Sequence, residues 1–118
     1  MTMHVAVVSD LLFASRVSAI AHRCGADCQR AGTGGELDAL LANGDVSIVI
    51  IDMGHRGETA ADTISGIAAR YATTQIIAVY PHVHAELADR AIAAGASAAW
   101  AHSAVDRKLS ELLAQSAP

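Results

Sequence analysis

Two short apolar runs, each closing on an acid, organise the hydrophobic pattern: His4-Val5-Ala6-Val7-Val8-Ser9-Asp10 and Val46-Ser47-Ile48-Val49-Ile50-Ile51-Asp52. Neither run alternates cleanly between apolar and polar residues. Both therefore read as strands buried on two faces, the condition of a parallel sheet covered by helices. Between and beyond them the period changes from two to that of a helix. Phe13, Val17, Ile20, Ala21 and Cys24 recur on one helical face, and Gly25 ends it. Thr33-Gly34-Gly35-Glu36 is a capping box ahead of Leu37, Leu40 and Leu41, and Asn43-Gly44 closes that helix. Thr59 is expected to cap a third helix burying Ala60, Ile64, Ile67 and Tyr71. Gly95 ends a fourth, and Ser103 is expected to cap a fifth with the stripe Val105, Leu109, Leu112 and Leu113.

The spacing predicts strands near 3–9, 26–30, 46–52, 74–80 and 97–101, and helices near 11–24, 34–42, 59–71, 84–94 and 104–115. Five strand–helix alternations joined by short connections, with no internal repeat and no linker, make one domain over residues 1–118. Right-handed crossovers give an α/β, three-layer α/β/α sandwich on a five-stranded parallel sheet. The expected strand order is the flavodoxin-like 2-1-3-4-5, which sets the first and third strands side by side and brings their terminal acids to one edge.

Composition narrows the function classes. The hydrophobic fraction is 53% and the charged fraction 17%, a compact globular balance with aromatics scarce enough that Ile, Val, Leu and Ala must fill the core. A formal charge of −4 with Lys108 the only lysine argues against a nucleic-acid surface. No apolar run reaches the roughly 18 residues of a membrane span. The start, Met1-Thr2-Met3-His4, lacks the form of a secretory signal, so the cytoplasm is the expected compartment. Cys24 and Cys28 read as free thiols in a reducing environment.

Asp10 and Asp52 at the carboxyl ends of neighbouring strands form an anionic pocket suited to a hard cation such as Mg²⁺. Four of the six histidines also follow strands: His55, His82, His84 and His102. Imidazoles favour Zn²⁺, Ni²⁺ or Cu²⁺, so a transition-metal or pH-sensing site at this end is an alternative to solvated loop histidines. A flavodoxin-like enzyme or cofactor binder is a further alternative. It is disfavoured because Asp10-Leu11-Leu12-Phe13 stands where a Gly-rich phosphate loop belongs.

Three segments carry a resemblance to a known family: Val7-Val8-Ser9-Asp10, Ile50-Ile51-Asp52, and Ala93-Ala94-Gly95-Ala96. From Met3 to about Gln115 the chain resembles the CheY-like receiver domains of two-component response regulators. The resemblance implies Asp52 as phosphoacceptor from a histidine kinase, and Asp10, Asp52 and the Gly54 carbonyl as Mg²⁺ ligands. It also implies a signalling module with no substrate turnover of its own. One acid of the family's pair is Ser9 here. Tyr80 stands where the family has a hydroxyl residue and His102 where it has a lysine, with Ser103 in place of the following proline. Arg56 and His55 are near enough in sequence to compensate.

Each lost contact is a charge-assisted hydrogen bond of about 1.5–3 kcal/mol, so losing two removes about 3–6 kcal/mol. Driving a two-state switch from 1:99 to 99:1 takes about 5.5 kcal/mol. The expectation is an atypical receiver with an impaired or phosphate-independent switch; the alternative is an ordinary Mg²⁺-dependent phosphoacceptor at Asp52. The resemblance also implies an output face on the fourth helix, fifth strand and fifth helix, with Leu87, Ala88, Ala91, Ala98, Ala99, Trp100 and Val105. There a protein partner or a second copy of the chain is expected to dock, with Trp100 either an anchor or a core residue.

Overall fold

The structure, a computed structural model, describes residues 3–44, 46–56 and 59–116, with the side chains of His55, Arg56 and Ser116 outside that description. Five strands, β1 (His4–Val8), β2 (Asp27–Arg30), β3 (Val46–Asp52), β4 (Gln75–Tyr80) and β5 (Ala98–Ala101), form one sheet in the order β2-β1-β3-β4-β5. Every pairing is parallel. The helices are α1 (Leu11–Arg23), α2 (Gly34–Ala42), α3 (Thr59–Arg70), α4 (Glu86–Ala94) and α5 (Val105–Ser116). The expected order and element positions are those found.

Side-chain alternation splits the core into two layers. Val5, Val7, Ile48, Ile50, Ile77, Val79 and Trp100 face α1 and α5, where Phe13, Val17, Ile20, Leu109 and Leu113 meet them. Ala6, Val8, Val49, Ile51, Ile76 and Ala78 face the other way, onto Leu37, Leu41, Ala60, Ile64, Ile67 and Ala91. The central strands are thus buried on both sides, which is why they read as continuous apolar runs. The edge strand β2 is mostly exposed and correspondingly polar, a composition that discourages edge-to-edge pairing.

Local signals behave as their chemistry requires. Thr33 accepts the Glu36 N–H at 3.1 Å, and the Glu36 carboxylate returns to the Gly32 N–H at 2.8 Å, a capping arrangement for α2. Differences are confined to element ends. Cys24 is exposed at the C-cap of α1, where the chain already turns away from the helical face. The segment before α4 is a 3₁₀ turn, His82–His84, because the Pro81 carbonyl takes the His84 N–H at 2.9 Å. Ser103 lies inside another 3₁₀ turn, His102–Ala104, and so does not stand at an α5 cap. A helical turn at Met53–Arg56 follows β3, seeded by the Asp52 carboxylate accepting the Gly54 N–H and pinned by buried Met53. The residues just ahead of Thr59 lie outside the described set, so its capping role is not part of the observed structure.

Gly95 is the tightest backbone position. It ends α4 at φ +118°, and a Cβ there would stand 2.8 Å from the Ala68 Cβ. Both the left-handed backbone and the α3 contact exclude a side chain. Gly95→Ala should therefore lower stability by about 1–3 kcal/mol, read as a lower urea midpoint with an unchanged slope. An unshifted midpoint contradicts that reading of the α3–α4 contact. Burial pushes the Cys28 thiol from its ordinary 9.0 up to about 11. Its protonated form is favoured by the fold, so this stabilisation is present below pH 9 and is lost as pH rises through 11. At pH 8 a disulfide reagent should label exposed Cys24 rapidly and Cys28 slowly; equal rates would refute the difference.

Candidate functional site at the carboxyl edge of the sheet

The β1–β3 register pairs Val8 with Ile51, so one step further sets Ser9 beside Asp52 at a strand spacing of about 4.8 Å. Asp10 follows one residue beyond. Asp52 continues the alternation of Ile48 and Ile50 and so points to the α1–α5 side. It is only 5% exposed, and Ser9 is wholly buried. Asp52 Oδ1 accepts two hydrogen bonds, from the Gly54 N–H at 3.0 Å and from His102 Nε2 at 3.1 Å. An ionised carboxylate has no proton to give, so the imidazole donates from Nε2.

His102 is held from three directions. Its ring stacks on Phe13 with centroids 5.2 Å apart and an interplanar angle of 22°. Its carbonyl accepts from Arg16 Nη2 at 3.0 Å, and the same guanidinium donates from Nε to Asp106 Oδ1 at 2.8 Å. The imidazole thus stands against the acid at the end of β3. Tyr80 does not join it. The phenol is half-buried in the opposite layer, between the sheet and the helices α2 to α4.

Asp10 is exposed and caps α1, its Oδ1 accepting the Phe13 N–H at 2.8 Å. The Ser9 hydroxyl donates to the Asp10 carbonyl at 2.8 Å, and the Ser9 carbonyl accepts from Arg30 Nε at 2.9 Å. The two acids therefore leave the same end of adjacent strands, with the position of the missing acid filled by a short, locally bonded hydroxyl. Gly54 lies against Asp52, its N–H on the carboxylate. The expected contributions of Arg56 and His55 fall on side chains outside the described residues.

The loop histidines whose side chains are described do not converge, which leaves the alternative of a shared transition-metal site without support: His84 Nδ1 faces Glu86 at 3.5 Å, His102 faces Asp52, and His82 is exposed. Among the described residues no three His, Cys, Asp or Glu side chains are grouped to hold a metal ion. The separate loops after β4 and β5 simply aim their rings differently. The proposed docking face is also narrower than expected, because Ala91 and Val105 are wholly buried and Trp100 is 8% exposed. Trp100 alternates with Ala99 and points into the α1–α5 layer, so it is core. Leu87 and Ala99 remain half-exposed on that side, and Ile92 is exposed. Nothing in the local sequence marks Arg16, Phe13 or Arg30 as belonging to this edge. Arg16 flanks the apolar stripe of α1, but its acceptors lie 86 and 90 residues away.

No protein-family model matches the chain, and no curated protein matches it in sequence. Solved structures do match. A response regulator from Thermotoga maritima superposes with a TM-score of 0.84 at 20% identity, covering 98% of this chain and 97% of that one. The chemotaxis response regulator CheY4 of Vibrio cholerae gives 0.80 at 18%, covering 98% of each chain. An orphan response regulator of H. pylori gives 0.75 at 14%, covering 96% and 92%. At these identities the likeness is one of fold: the chain has the CheY-like, flavodoxin-like fold of receiver domains. No described helix is long and apolar enough to cross a membrane.

The His102–Asp52 bond carries a measurable energy. Removing the imidazole leaves a buried carboxylate short of one donor, so His102→Ala should cost about 1–3 kcal/mol. In an Asp52→Asn background the same change should cost less, giving a double-mutant coupling of about 1–2 kcal/mol. Additive effects in denaturant unfolding would show the bond to be absent in solution.

Proposed function

We propose that this chain is an atypical receiver domain, a two-component signalling and interaction module without substrate turnover. Its switching is impaired in its response to phosphate or independent of it. The observation that carries this reading is the 3.1 Å bond from His102 to Asp52. A lysine brings a permanent charge on a flexible stem; here an imidazole, fixed by stacking, takes one carboxylate oxygen before any phosphoryl group arrives.

The hydroxyl that would report a phosphoryl group is replaced by Tyr80, whose ring lies in the other layer, and Ala99 stands where the resembling family carries an aromatic residue on its fifth strand. Neither replacement supplies the differential contact that a phosphate-driven switch requires. The partner is a histidine kinase or another signalling protein, met in the cytoplasm. A second copy of the chain docking at Leu87, Ala99 and Ile92 is the homodimeric version.

A second reading, an active Mg²⁺-dependent phosphoacceptor, draws support from the oxygen donors at the same edge. Asp52 keeps an Oδ2 that takes no hydrogen bond among the described residues. The second oxygen of Asp10 and the Gly54 carbonyl complete a hard-oxygen set. These three residues fit Mg²⁺ in kind and would hold it. Bound there, the cation would neutralise the oxygens of an incoming phosphoryl group. Asp52 would be the nucleophile, Oδ2 attacking phosphorus as the donor's leaving group departs, with His102 held on Oδ1.

Acetyl phosphate or beryllofluoride with Mg²⁺ separates the two readings. The atypical reading expects fractional modification by mass and little change in Trp100 fluorescence. The combined Ser9→Asp, Tyr80→Thr and His102→Lys variant is expected to modify far more completely. Full, Mg²⁺-dependent modification of the unaltered chain, with shifts around Leu87 and Ala99, would establish the ordinary phosphoacceptor instead.

A further inference from the structure

We infer that Arg16, together with Phe13, is a positioning residue for His102, and that the state of Asp52 is read along the seam between α1 and α5 instead of across α4. The inference rests on the proposal that Asp52 is where a signal enters. Its physical basis is an unbroken set of side-chain contacts from Asp52 to the first turn of α5.

From Asp52 Oδ1 the path goes to His102 Nε2 at 3.1 Å, and from the imidazole face to the Phe13 ring at 5.2 Å. The Arg16 guanidinium closes the circuit. It lies 6.0 Å from the Phe13 centroid, donates from Nη2 to the His102 carbonyl, and donates from Nε to Asp106 in the first turn of α5. One planar fork therefore clamps three things together: α1, the turn that carries the histidine, and the start of α5. A lysine gathers its donors on one nitrogen at the end of a flexible stem and does not present two arms of a planar fork.

The clamped turn depends on such outside contacts. His102–Ala104 is 3₁₀, and its N-cap, Ala101, makes no side-chain capping bond. A single 3₁₀ turn has poor internal hydrogen-bond geometry, so its position follows what holds it. The other direction offers little to move. Tyr80 is half-buried in the opposite layer, and Ala99 presents only a methyl group. A change of charge or occupancy at Asp52 Oδ1 thus meets a rigid stack and a charged fork on the α1–α5 side, whereas on the α4 side neither Tyr80 nor Ala99 is bonded to it among the described residues.

The test uses NMR on the whole chain and no phosphate. Asp52→Asn keeps the side-chain shape and removes the charge. It is expected to shift the Arg16 Nε–H and the amides of His102 and Asp106, leaving Tyr80, Leu87 and Ala99 in place. His102→Gln is a second perturbation. It should speed solvent exchange of the Arg16 Nε–H and leave the Arg70 Nε–H at its own rate, Arg70 being an exposed pair with Asp38 elsewhere. In the reverse direction, Arg16→Gln and Arg16→Lys should both move the His102 ring signals, and Arg70→Gln should not. That Lys fails to rescue is what a positioning fork requires and what a simple surface charge does not.

Shifts from Asp52→Asn that travel to Leu87 and Ala99 but miss Arg16, or His102 ring signals unmoved by Arg16→Gln, would overturn the inference. Since no step involves phosphate, a failure here is separate from a failure of the acetyl phosphate experiment.

Discussion

A buried carboxylate at the end of a central strand must find donors, and this edge of the sheet is organised by that need. Asp52 sits in a low-dielectric position where an unpartnered charge costs several kcal/mol. It finds one donor close by in sequence, the Gly54 N–H, which starts the helical turn after β3. The second donor comes from fifty residues away, and that distance is what makes the bond informative. To bring His102 there, β5 must lie beyond β4, and Trp100 must fill the α1–α5 layer beneath it. The turn after β5 must then be held against α1. The site is thus a consequence of the sheet order and also a brace upon it.

An imidazole in the lysine seat changes the electrostatics of the cup. Lysine is a permanent cation, whereas histidine donates a hydrogen bond with or without a full charge. With Ser9 in place of an acid, the edge also carries one carboxylate fewer. Set against the resembling family, both changes lower the density of charge at this edge. They do so without leaving Asp52 bare, since its Oδ1 is satisfied by two donors already in place. The arrangement reads as a resting geometry stabilised for itself, one that need not await a ligand to become complete.

The architecture was legible because its causes are local or periodic. Two-face burial wrote β1, β3 and β4 as unbroken apolar runs, and helical stripes such as Ala60, Ile64 and Ile67 wrote the layers between. His102 was legible as a neighbour of Asp52 once the strand order was expected, because both stand at the same edge of the sheet; Asp10 leaves that edge too but turns to cap α1. The orientation of side chains was not legible. Tyr80 reads as a pocket residue by position, yet the parity of β4 sends it to the other layer. Trp100 is likewise core by parity. Arg16 carries no local sign of its role at all, because its acceptors belong to a turn whose placement depends on how α1 and α5 pack. The 3₁₀ turn at His82–His84 follows from a Pro81 carbonyl bond that residue propensities do not announce.

What the Asp52–His102 link can transmit is bounded by its strength. A charge-assisted hydrogen bond of about 1.5–3 kcal/mol biases a two-state element by roughly 10- to 150-fold. That is short of the about 5.5 kcal/mol needed to carry a population from almost wholly one state to almost wholly the other. A switch driven through this contact alone must therefore be graded, or must act on an element already poised near balance. The turn at His102–Ala104 meets the second condition better than a full helix does. It has few bonds of its own, so little energy is needed to displace it. Arg16 makes the same point from the other side. An exposed guanidinium contributes little as a charge pair in water, but by joining two acceptors it makes the turn and α5 move as one body. A small bias at Asp52 then acts on a larger lever than the hydrogen bond alone, and the seam between α1 and α5 is where that lever ends.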